Sequence, residues 1–303
     1  MDTSVFEQIA TSLTVKSICS PLGPDVPAGT PLDHLEALLD PGSDPNLDPL
    51  NDPVRVIDAD GHGLGVFWPS KYLYDLEMGE FDKLDEESDP PCFVEELMER
   101  PLLDDLLTSS TTVLDAVTIF GAAREEAVFY ILETNEIVGV LQYRDLFHPL
   151  GRLAFLAIAL EIEDLALKMC QSNLHRELCW ASLPESRKRK AIDQFKRDHK
   201  DREPEFPKEI YYLIESTELI DKANMIWKRK LIASATRTEV LGFFHRLMQV
   251  RNACAHPRGY GAALVDRAAL ADFISSATRM RSNLRLWMAN YGIGWREKPE
   301  IIL

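Results

Sequence analysis

The sequence has no apolar run of the ~18 residues that a membrane-spanning helix needs. Its longest such stretch, Leu153-Ala154-Phe155-Leu156-Ala157-Ile158-Ala159-Leu160, is broken at once by Glu161, Glu163 and Asp164. The opening residues, MDTSVFEQIA, have neither a basic start nor an apolar core, so no signal peptide is expected. Cysteine is scarce: Cys19, Cys92, Cys170, Cys179 and Cys254 are odd in number and lack CxxC spacing. That pattern excludes a disulfide framework and a cysteine zinc site, and it fits a reducing cytoplasm. What is present is a 46% hydrophobic composition, enough for packed cores, in 303 residues, a length that points to two domains.

Positive charge is missing from one half of the chain. The first 150 residues carry 30 acids and 7 bases, and the rest carry 19 acids and 26 bases. Halves that differ so much in charge are expected to differ in task. The basic half can attract a polyanion or can simply have a solvated surface; the acidic half repels polyanions except at a local site.

The first half alternates short strands and helices. Thr14-Val15-Lys16-Ser17-Ile18 reads as a β-like opening, closed by the turn signals Pro21, Gly23 and Pro24. Thr30 and Pro31 lead into a helix from Leu32 to Leu39, and a Pro- and Asp-rich loop follows. Strands at Val54–Ile57 and Leu64–Trp68 flank the turn Asp58-Ala59-Asp60-Gly61, and a helix starts at Pro69-Ser70. The order then recurs. Ser110-Thr111-Thr112 precedes a helix at Val113–Val117, strands follow at Ala127–Leu132 and Ile137–Leu141, and Tyr143–Phe147 closes the copy. This is an internal repeat of about 80 residues. Residues 75–105 between the copies are acidic and read as a surface crossing.

Past Pro149 the alternation stops and apolar residues recur at helical spacing, as in Leu153, Leu156, Leu160, Ile162 and Leu165. Further helical stretches run over about 208–230, 236–255 and 262–290, so this half reads as a bundle of four or five helices. The expected fold class is α+β: an α/β pair followed by an all-α bundle, joined near Gly151 without a flexible linker.

Residues 10–148 resemble a tandem pair of CBS domains, modules that often bind adenosine-type nucleotides between their two copies. The resemblance rests on Thr14-Val15-Lys16-Ser17-Ile18 with Pro21, on Gly29-Thr30-Pro31-Leu32, on Ile57-Asp58-Ala59-Asp60-Gly61 with Gly65-Val66, and on Ile137–Leu141 with Tyr143-Arg144-Asp145-Leu146. It implies an adenine nucleotide as regulatory ligand, with Asp145 on the ribose hydroxyls and Thr112 beside it. The family stretch Gly-apolar-apolar-Thr/Ser-x-x-Asp keeps its Asp at Asp145 but has Gln142 at the hydroxyl position; the first copy has Trp68 and Lys71 in those places. Asp145 either binds ribose or caps the turn it sits in.

In the second half, Val240, Phe243, Phe244, Leu247 and Val250 mark a helix that runs into Arg251-Asn252-Ala253-Cys254-Ala255-His256-Pro257. Pro257 ends the helix and leaves His256 at its end. Asn252 and His256 share a face, so the Asn amide can hold the imidazole, and Arg251 beside them can present a fork to a phosphate. A histidine near neutral pKa moves protons and an arginine stabilises phosphorane-like charge, the needs of RNA cleavage through the 2′-hydroxyl. The spacing resembles the Arg-x4-6-His motif of HEPN domains over residues 150–300. That resemblance implies a metal-independent endoribonuclease that needs no cofactor for catalysis, with Arg251, Asn252 and His256 as catalytic residues. It also implies a homodimer, RNA rather than DNA as partner, no metal site, and a toxin or antiviral setting. The alternative is a non-catalytic nucleotide sensor or scaffold whose helical domain dimerises or binds a partner.

Other residues carry weaker signals. Arg187-Lys188-Arg189-Lys190 either touches RNA or is a solvated helix, Trp227 and Trp287 are expected in the core, and Tyr260 lies in a loop after the motif.

Overall fold

The computed structural model describes residues 5–34, 53–78, 91–232, 236–256 and 266–291. The chain divides into two compact units. One, α/β in character, comprises Leu13–Val113 and Ala123–Gly151; the other, helical, comprises Met1–Ser12, Leu114–Ala122 and Arg152–Leu303. Pro257, Tyr260 and most of the expected helix from Leu32 to Leu39 fall outside the described residues.

The α/β unit contains two sheets with the same internal plan. In the first, β2 (Gly23–Pro27) runs parallel to β3 (Val54–Ile57), which pairs antiparallel with β4 (Gly63–Phe67). Helix α2 (Pro69–Glu77) follows, then the short α3 (Val94–Leu97); α1 (Val5–Ser12) belongs to the helical unit. In the second, β5 (Leu106–Thr108) runs parallel to β6 (Val128–Glu133), which pairs antiparallel with β7 (Glu136–Gln142). A 3-10 turn over Tyr143–Phe147 then takes the place of the second copy's last helix.

The sheets exchange edges. Strand β1 (Ser20–Pro21) leads into the first copy yet pairs with β7 of the second, Ser20 opposite Val140. Reciprocally Glu99, ahead of the second copy, bridges Val66 of β4 in the first. Gly65 and Gly139 precede the two crossed residues at equivalent positions. A methyl group on Gly65 would lie 2.6 Å from the Glu99 carbonyl oxygen, and one on Gly139 would lie 2.8 Å from that of Ser20. Both glycines are therefore required by close backbone approach. A core of Val66, Tyr130 and Val140 joins the two sheets, while Val26, Val54, Val56, Phe67 and Val94 fill the first copy.

Three expectations are corrected here. Thr14–Ile18 is not a strand: Val15–Ser17 forms a 3-10 turn, and the first strands come later, at Ser20–Pro21 and Gly23–Pro27. Pro21, Gly23 and Pro24, which read as turn signals, lie in strands; Pro24 sits in a strand with one neighbour, where a missing N–H is tolerated. Strand β5, too short to show a periodicity, was not expected.

The helical unit is built on α5 (Pro149–Gln171), whose buried residues include Phe155, Ile158, Ile162, Ala166 and Met169. It is followed by α6 (Arg176–Ala181), α7 (Glu185–Asp198), α8 (Ile210–Glu215), α9 (Leu219–Lys228), α10 (Arg237–Ala255) and α11 (Arg267–Tyr291). From Pro149 onward seven described helices stand where four or five were expected. The stretch 208–230 is split because the Ser216 and Thr217 hydroxyls bond back to the carbonyls of Tyr212 and Ile214, and buried Lys222 donates to the Thr217 carbonyl. Trp227 and Trp287 are half-buried rather than core, one beneath the Arg237 guanidinium and the other beside the His175 ring. No helix among the described residues is long and apolar enough to cross a membrane.

Candidate functional site

Helix α10 is fixed at both ends by its sequence. Thr236 Oγ1 accepts from the Glu239 amide at 3.2 Å, and the Glu239 carboxylate accepts from the Thr236 amide at 2.7 Å. This reciprocal box starts the helix. Val240, Phe244, Leu247, Val250 and Cys254 form its buried face. His256 is the cap residue at the other end, with extended backbone (φ −100, ψ 126), and its N–H still donates to the Asn252 carbonyl. The proline that follows in sequence accounts for that extension. Leaving helical geometry at His256 lets its exposed ring depart from the Asn252 face.

Arg251 does not present a free fork. Its Nη1 lies 2.9 and 3.1 Å from the two carboxylate oxygens of Glu163 on α5. Its Nε and Nη2 approach the Asn252 side-chain oxygen at 3.4 and 3.3 Å. The structure thus brings Arg251 and Asn252 together, but the Asn amide serves the guanidinium, not the imidazole expected from their shared face. Among the described residues no partner holds the His256 ring; its carbonyl accepts from Arg152 Nη1 at 3.5 Å.

Sequence reasoning missed Glu163 and Arg152. They lie three turns apart on one face of α5, which was legible as periodicity, but nothing local connects them to a motif some ninety residues later. Beneath the motif Cys254 is buried, which pushes its thiol up to about 12 against the opposing influence of the Arg152 charge. That thiol is not a nucleophile at neutral pH.

In the α/β unit Asp145 is mostly buried, with its side chain 13% exposed. Its Oδ2 accepts from the Gln142 amide at 2.7 Å, so it caps its own 3-10 turn, and Arg144 Nε stands 4.0 Å from Oδ1. Burial raises its pKa, with the Gln142 amide pulling the other way. Thr112 stands ahead of α4 (Val113–Ala122) and bridges Thr14. The first copy has no such acid. Lys71, at the position equivalent to Asp145, pairs with Glu99 at 2.7 Å, and Glu99 also accepts from the Tyr130 hydroxyl at 2.7 Å and from Trp68. The two residues that depart from the family pattern are thus tied into one polar cluster with Glu99.

The basic run on α7 is largely neutralised. Arg187 and Lys190 both pair with Glu218, and Lys188 with Glu185. A cavity of about 220 Å³ lies between α7 and the start of α9, lined by Arg187, Lys190, Arg197, Thr217, Glu218 and Asp221 among others. It does not include the Arg251–His256 segment.

No protein-family model and no curated protein matches the chain. Among solved structures, it is similar to the crystal structure of a CBS domain-containing protein of unknown function from Kribbella flavida DSM 17836. The identity is 15%, over 44% of this chain and 95% of that chain, with a TM-score of 0.28.

Proposed function

We propose that this chain is a metal-independent endoribonuclease of HEPN type whose activity is set by an adenine nucleotide bound to a CBS-like pair. The observation that carries the reading is His256: an exposed imidazole at the end of α10, with the Arg152 guanidinium at its carbonyl and Arg251 one turn earlier. In this reading the imidazole takes the 2′-hydroxyl proton or gives one to the leaving 5′-oxygen, and a guanidinium stabilises the charge on the phosphate. One copy offers one such histidine, so acid and base together call for a homodimer. The nucleotide reading is supported by the repeated strand plan and by the second copy's acid at Asp145, where the first copy carries the Lys71–Glu99 pair.

The test is RNA cleavage by purified protein without added metal. Wild type cuts; His256→Ala does not. Intact RNA at high enzyme concentration, with and without AMP or ATP, removes the ribonuclease reading, and equal cleavage by His256→Ala removes it too. A thermal-shift titration with AMP and ATP tests the sensor half, where Asp145→Ala abolishes the shift.

One observation favours the alternative, a non-catalytic sensor or scaffold. Arg251 is occupied by Glu163, so the motif as folded serves to tie α10 to α5.

A further inference from the structure

Within that ribonuclease reading, we infer that the RNA phosphate beside His256 is held by Arg152, and that Arg251 is a positioning residue. The charges decide it. The Arg251 guanidinium is spent on both oxygens of Glu163 and on the Asn252 amide oxygen. A phosphate that recruited it would have to break the ion pair and leave the Glu163 carboxylate facing the incoming anion. Arg152 has the opposite situation. Its one side-chain hydrogen bond among the described residues goes to the His256 carbonyl, at 3.5 Å. Its Nε is buried without a partner, and among the described residues no carboxylate pairs with it. A guanidinium that keeps unspent donors and a full charge at the end of the helix that presents the histidine is the group a phosphate recruits first.

The division of labour follows from α5. Glu163 and Arg152 lie on one face of this helix, which runs antiparallel to the last turns of α10. Glu163 clamps Arg251 and so sets how the end of α10 lies on α5. Arg152 then sits against the carbonyl of the residue that does the chemistry.

The test uses the full chain and a single-stranded RNA carrying 2′-O-methyl sugars, which lack the attacking hydroxyl, so that binding is read without cleavage. Affinity is followed by fluorescence anisotropy across salt concentrations, and cleavage of ordinary RNA is measured in parallel. Arg152→Gln is expected to flatten the slope of log K against log salt by about 0.7, the loss of one phosphate contact on a single strand. It is also expected to slow cleavage by about 100-fold. Arg251→Gln leaves the slope at its wild-type value. An unchanged slope in Arg152→Gln, or a flattening in Arg251→Gln instead, overturns the assignment while wild-type cleavage stands. Wild type that neither binds nor cuts RNA overturns the ribonuclease reading and this inference with it. If Arg152→Gln does not fold, Arg152→Lys decides: a wild-type slope with cleavage at least about tenfold slower supports a fork on the phosphate, and wild-type cleavage overturns it.

Discussion

Arg251 and Glu163 form a single ion pair in which one guanidinium nitrogen serves both carboxylate oxygens, at 2.9 and 3.1 Å. The side chains are 31% and 26% exposed, so the pair is neither dry nor freely solvated. Such a pair contributes about 1 kcal/mol. Arg251→Gln and Glu163→Gln are each expected to lower the unfolding free energy by about that much in urea titrations. The double variant should lose clearly less than the sum, since both changes remove one interaction. Additive losses would show that the two side chains do not support each other.

Glu161 is the buried acid of α5, at 2% exposure, and it faces Arg281 at 3.7 Å and Arg285, whose Nη1 also reaches Glu7 at 2.6 Å. Removing the buried partner strands Arg281 and leaves Arg285 with Glu7 alone. Glu161→Ala is therefore expected to cost about 3 kcal/mol. Glu7→Ala, at the rim of the same group, costs under about 1 kcal/mol. Chemical denaturation orders the two, and an equal cost would refute the network as drawn.

The exchanged sheet edges depend on Gly65 and Gly139. In Gly139→Ala the new methyl meets both the Cys19 sulfur and the Ser20 carbonyl oxygen at 2.8 Å. The sulfur can turn aside; the carbonyl cannot. The variant should lose at least about 1–3 kcal/mol, and adding Cys19→Ala should restore little of it. Full rescue by Cys19→Ala would mean that β1 is free to move away from β7. The same destabilisation is expected of Gly65→Ala, read by its thermal midpoint.

Burial raises the Asp145 pKa above its unfolded value. For a raised carboxyl the sign is opposite to that of a salt-bridged one. Its contribution to stability is fully present below the unfolded pKa, near 3.9, and is lost as pH rises through the folded value. Asp145→Asn keeps an oxygen to accept from the Gln142 amide and removes the buried charge. It should be as stable as wild type at pH 3 and more stable at pH 7, by equilibrium unfolding at the two pH values. A variant less stable at pH 7 would show that the carboxylate form is the one the fold prefers.

Much of the architecture was open to reading in one dimension. The change from alternating to helical spacing at Pro149 marks the helical part, because side-chain burial imprints a period of two on strands and 3.6 on helices. The α10 boundaries were equally local: Thr236 with Glu239 at the start, Pro257 after the end. So was the candidate segment Arg251–His256 itself. By contrast, β5 and the proline-bearing β2 carried no periodic signal, and the edge exchange of Ser20 with Val140 and Glu99 with Val66 arises from backbone pairing over long separations. The chemistry of the motif was decided the same way. That a histidine stands at a helix end after Arg and Asn follows from residue order alone, because capping and proline sterics act between neighbours. Which cation there has no carboxylate against it, among the described residues, depends on how the helices pack. Charge pairing is settled by distance in space, and the fold puts Glu163 on Arg251 and leaves Arg152 with donors unspent.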